Sequence, residues 1–205
     1  MDILPIILIT AICTAIAAIP YWLFNRWTKS RIQQSVFNFS QHFGLTPSPA
    51  SEESSLPSAA GRYRNRPTSI LSSYTTQGPS FPMTRLTVEV YPPVSFEIRL
   101  IANSFLSSSP DEKYVPFGEE ELDNALLLAT NDKELTSKLF TKAIQVSLKK
   151  ALAKGLQRGE LVITKSEFRY TDPQHMMTEG DLALNSHMVE LLHDLADRVE
   201  ELRSS

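Results

Sequence analysis

Three closely spaced arginines are the side chains in this sequence best suited to binding an anion. Arg62, Arg64 and Arg66 stand in the run GRYRNRP. Alternate residues of an extended chain share a face, and guanidiniums set out along one face can grip phosphate or carboxylate groups in a bidentate manner. The same arrangement also keeps an edge strand solvated and unpaired. A second basic set is Lys138, Lys142 and Lys149. On a helix these fall within about 40° of one another, opposite the apolar side. Such a stripe could lie on an anionic surface, and is more often a plain solvated face. These six residues are the candidate anion or lipid-headgroup ligands.

Other constellations are weaker. Glu190 and His193 make one E-x-x-H step within HMVELLH, whereas carboxylate-bridged metal bundles need two such steps on facing helices. His187 and His193 lie about 120° apart around a helix and do not form an i, i+4 zinc pair. Asp111, Glu112, Glu119, Glu120, Glu121 and Asp123 crowd one segment without the ligand spacing of a calcium loop. There is no G-x-S-x-G elbow, and the single thiol, Cys13, falls in the apolar N-terminal run. No catalytic residue, metal or cofactor is expected. With 20 Lys and Arg against 23 Asp and Glu, the net charge is −3, so no global field points to nucleic acid.

The elements that must position these groups begin with residues 3–24, ILPIILITAICTAIAAIPYWLF, which carry no charge. As a helix they would span roughly 33 Å, the thickness of a bilayer core. Tyr21, Trp22 and Trp27 sit where aromatic side chains gather at a headgroup interface. The sequence therefore predicts a single-pass membrane protein with the bilayer as partner through residues 3–24. Asp2 precedes the span, and Arg26, Lys29 and Arg31 follow it, which places the N-terminus outside and the C-terminal domain in the cytoplasm. A cleaved signal sequence would want a positive n-region, which Met1-Asp2 lacks.

Residues 28–44 read as a juxtamembrane helix, with Ile32, Val36, Phe39 and Phe43 at helical spacing and Gly44 as the stop. The Pro- and Ser-rich stretch 45–58 reads as a linker, and 59–205 as one domain. Strand alternation marks 62–66, 68–74, 84–91, 95–101 and 122–130, then 161–164 and 167–170. Between them, 131–154 reads as one amphipathic helix opened by Asn131 and Glu134 and closed by Gly155. A terminal helix over 184–202 buries Leu184, Met188, Leu191, Leu192, Leu195 and Val199. This order, without βαβ alternation, predicts an α+β fold with an antiparallel sheet and two packed helices. A seven-strand sheet capped by the last helix would be similar to a pleckstrin-homology-like barrel.

The N-terminal anchor, a helix ending HFGL and a GRYRNRP opening to a β-rich domain together resemble a set of bacterial single-pass membrane-anchored proteins. In that set a Gly-x-Tyr-x-Gly-Arg opening is usual; here Asn65 holds the second Gly position, and Leu122-Asp123 replaces a Phe-Asp step. The resemblance implies no activity. The sequence points first to a membrane-tethered, non-catalytic module binding a protein partner or anionic headgroups. A membrane-associated hydrolase or transferase, or a structural subunit of a membrane complex, are the alternatives.

Overall fold

A computed structural model describes residues 3–48, 56–74, 82–103 and 114–204, with the side chains of 3–17 outside the description. The first element, α1 (Ile3–Phe43), is one helix of 41 residues with Pro20 inside it. The expected boundary near residue 27 does not interrupt it. It stops at Gly44, whose φ of 65° is the left-handed conformation that glycine adopts without penalty.

Among the described residues no helix is long and apolar enough to cross a membrane. The expected single-pass localisation, with its outside N-terminus and cytoplasmic domain, is thereby corrected. The physical reason lies in the described part of α1: only Ala18–Phe24 is free of polar side chains other than Tyr21 before Asn25, Arg26, Lys29 and Arg31 follow. Seven residues of helix cover about 10 Å, a third of a bilayer core. The remainder of the expected span, 3–17, lies outside the described side chains.

Eight strands form one antiparallel sheet in the order β1-β2-β3-β4-β8-β7-β5-β6. They are β1 (Thr46–Ser48), β2 (Ser58–Tyr63), β3 (Arg66–Tyr74), β4 (Pro82–Glu89), β5 (Ile98–Ala102), β6 (Leu126–Thr130), β7 (Glu160–Ile163) and β8 (Glu167–Asp172). The sheet is open, with β1 and β6 at its edges, so the barrel closure considered from the element count does not occur. Strand alternation is faithful to the pleat. Thr68, Ile70 and Ser72 of β3 pair across to Val88, Leu86 and Thr84 of β4, and these to Phe168, Tyr170 and Asp172 of β8, all buried on one face. On the second face every described position keeps partial exposure.

The covered face carries the helices. Besides α1 these are α2 (Glu120–Ala125), α3 (Lys133–Leu139), α4 (Lys142–Ala153) and α5 (Glu179–Ser204). From α5, Leu184, Met188, Val189, Leu191, Leu192, Leu195, Ala196 and Val199 enter the core, each large one contributing roughly 1.5–3 kcal/mol. From α1, Ile32, Val36, Phe39 and Phe43 join the same core.

Two expected elements differ. Residues 122–130 are not one strand: Glu120, Glu121 and Asp123 favour the positive end of a helix, and Asp123 accepts the amides of Phe117 (2.6 Å) and Gly118 (3.2 Å), so α2 precedes β6. Likewise 131–154 is two helices. The break is at Phe140, buried and edge-on to Phe117. Thr141 restarts the helix by accepting the Ile144 amide, and Gln145 donates its side-chain amide to the Phe140 carbonyl at 3.0 Å. The cap of α3 is Asp132, which accepts the Leu135 amide at 3.0 Å, while Asn131 instead accepts from Glu97 N–H.

Candidate functional site: the charged latch, the buried clamp and the open helix faces

The three arginines do not share a face. Tyr63 and Arg66 pair across the β2–β3 hairpin, and Arg64 and Asn65 form its two-residue turn with φ of 45° and 64°. Positive φ at both central positions is the twist that matches a hairpin; Asn tolerates it well and Arg poorly. Arg62, opposite Pro67, is exposed on the other side of the sheet. Arg64 and Arg66 turn instead to α5. Arg64 pairs with Glu190 and with Asp194 at 2.7 Å, and Asp197 stands 3.6 Å away. Arg66 pairs with Asp197 and with Glu200 at 2.8 Å. The Asp194 hydrogen bond is the main cause that raises the Arg64 pKa, and both cations are fixed in charge.

Under this latch lies His193, fully buried. Its Nε2 is 3.0 Å from Thr68 Oγ1, and the Tyr63 ring meets it edge-on at 5.0 Å. Burial, reinforced by the positive charges of Arg66 and Arg64, lowers its pKa to about 4. Tyr63 in turn donates its hydroxyl to Glu190 at 2.6 Å. Thus the E-x-x-H pair is engaged in fastening the β2–β3 hairpin to α5. Among the described residues no group of His, Cys, Asp or Glu is placed to hold a metal ion.

A second polar cluster escaped the sequence reading. Arg158, at the end of a short 3-10 turn (Leu156–Arg158), donates to Asp172 of β8 at 2.8 Å and to Asp181 of α5 at 2.6 Å. Asp172 is only 1% exposed. Burial raises its pKa against the opposing pull of Arg158. For Asp181 burial works in the same upward sense but loses to the Thr178 hydroxyl, Arg158 and the amides of Thr178 and Met177, leaving it low. Thr178 and Asp181 cap each other reciprocally at the start of α5. The signal was present as Thr178-Glu-Gly-Asp181, beginning six residues ahead of Leu184, where the apolar run of the expected helix starts.

The lysines separate as well. Lys138 pairs with Glu134 at 2.6 Å within its own helix. Lys149 leaves the stripe to hold Glu119 at 2.7 Å and Glu121 at 3.5 Å, joining α2 to α4. Lys142 is exposed. His187 reaches the Ser147 carbonyl with its Nε2 at 2.9 Å, tying α5 to α4.

Two of the surface clefts fall among the described residues. One of about 430 Å³ runs between α1 and β1, lined by Ser30, Gln33, Gln34, Phe37, Pro47 and Pro57 among others. A smaller one of about 160 Å³ lies where Pro93 and Phe96 face Leu135 and Leu202. Neither is lined by His193, Asp172, Asp181 or Tyr170. The latch and the clamp hold α5 against the sheet.

These features define an α+β protein with a large open antiparallel sheet, an N-terminal helix and a C-terminal helix braced by ion pairs. No protein-family model matches the sequence, and no curated protein does. Among solved structures the chain is similar in fold to the mycobacterial trehalose monomycolate transport factor A, TtfA. That likeness has a TM-score of 0.57 at 7% sequence identity, covering 82% of this chain and 94% of the other.

Proposed function

We propose that this chain is a non-catalytic module that works by binding another protein. The observation that carries the reading is the described start of α1. Ile19, Tyr21, Trp22, Leu23, Phe24 and Trp27 are each more than half exposed, from 52% to 72%. At 100° per residue they point all round the helix, so packing along one side onto the chain's own sheet cannot cover them. Exposed apolar surface of this extent marks an interaction site. Arg26 and Arg31 lie over the Trp22 and Trp27 rings at 5.4 Å and 5.5 Å, which holds the two indoles in place for a partner.

Two further features support the reading. The titratable groups of the latch and the clamp, His193, Asp172 and Asp181, line neither of the two described clefts. The fold likeness is to a protein named as a transport factor, a name in keeping with binding. The test is co-purification of the tagged full chain from mild detergent, with and without Trp22→Ser and Phe24→Ser. A partner retained by the wild type and lost from the variant supports the proposal. Recovery of the same partner in equal yield, or turnover of a substrate by the purified chain, refutes it.

A further inference from the structure

On a different element, α4 presents a ridge that nothing in the described chain occupies. Lys142, Val146, Lys150 and Lys154 follow one another in steps of four, with Val146 52% exposed and the three lysines exposed. Lys142, Lys150 and Lys154 make no ion pair among the described residues. The ridge is about 18 Å long at 1.5 Å per residue. Segment 132–154 holds six lysines against Asp132 and Glu134, in a chain whose net charge is −3. The local field is thus opposite to that of the whole molecule.

We infer that this ridge docks an acidic amphipathic helix of a partner protein. The chemistry is already used in miniature: Lys149, one residue from Lys150, holds Glu119 and Glu121 at the start of α2. An i, i+4 ridge is also the feature that helices interdigitate when they cross at about 50°. Val146 between Lys142 and Lys150 gives the contact an apolar centre, with carboxylates reaching the lysines on either side. A flat anionic membrane fits less well, because Glu119 and Glu121, 42% and 65% exposed, flank the same helix and would meet it with like charge.

The probe is a fluorescein-labelled 20-residue peptide with Glu and Leu in helical heptads, titrated with the full chain by fluorescence anisotropy at low and moderate salt. An all-Glu peptide and vesicles containing phosphatidylserine are run beside it. The expected results are tighter binding of the Glu/Leu peptide than of the all-Glu one, and weakening with salt. The combined Lys142→Gln, Lys150→Gln and Lys154→Gln change should lower affinity at least tenfold, and Val146→Asp at least threefold. Gln is a good helix former on an exposed face, so the variant keeps its fold. A matching Lys133→Gln, Lys138→Gln variant should bind like the wild type. The inference is overturned if the peptide does not bind at low salt, if the triple variant binds it equally well, or if the triple change abolishes vesicle binding while peptide binding is unaffected.

Discussion

Replacing His193 by Gln should flatten the acid side of the protein's stability curve. In the folded chain the ring is buried and faces Arg64, Arg66, Glu190 and Asp197, and its pKa is lowered to about 4 from 6.5. Since the folded value is the lower one, the unfolded chain takes up the proton first. The neutral ring costs nothing above the ordinary histidine pKa, and stability is lost as pH falls through about 6.5 toward 4. At about pH 5 the unfolded state is almost fully protonated at this site and the folded state barely so, a difference of about 2 kcal/mol relative to about pH 7.5. pH acts on other groups of the protein as well, so the comparison is between the two proteins and not between two pH values of one. Urea unfolding of wild type and His193→Gln at both pH values isolates the site: the wild type should lose about 2 kcal/mol more than the variant. Parallel losses in the two proteins would mean that His193 takes its proton as readily folded as unfolded, and the buried-latch reasoning would be wrong.

Arg64→Gly should cost under about 1 kcal/mol, because exposed ion pairs are weak and glycine relieves the left-handed turn; Arg64→Ala, which keeps the strain and loses the pairs, should cost about 1 kcal/mol more, both read from denaturant midpoints. Arg158→Met should destabilise by about 3–5 kcal/mol by leaving Asp172 buried and unpaired, and adding Asp172→Asn should recover part of that loss in thermal melts. Gly159→Ala should cost about 1–3 kcal/mol or prevent folding, since the added Cβ would sit 2.5 Å from the Tyr170 ring and 2.7 Å from the Thr171 carbonyl oxygen.

The strands were legible where one face is buried and the other is not: Leu86, Val88 and Val90, and Phe96, Ile98 and Leu100, alternate as the pleat requires, and all six are buried. The terminal helix was legible for the same reason, at period 3.6. The break at Phe140 was not, because Leu139, Phe140 and Ile144 continue an apolar helical pattern straight through it. Only the local chemistry of Thr141 and Gln145 divides it. The β4–β8 and β7–β5 pairings join segments far apart in the chain, which no local pattern encodes. The sequence singles out the arginines, but their partners lie 126 and 130 residues away for Arg64 and 131 for Arg66. A run of charges reads as a free binding surface until the helix bearing its counter-charges is placed beside it. The lysines behaved in the same way: helical spacing put Lys149 with Lys138 and Lys142, and Glu119 and Glu121 drew it out.

The central claim, that the exposed start of α1 is a protein-binding segment, is tested most directly by a photo-crosslinking amino acid at the Trp22 position of the full chain, activated in intact cells. The account predicts one dominant covalent adduct to a different protein, lost when Phe24 and Trp27 are changed to Ser. No protein adduct, or adducts only between copies of this chain, would contradict it.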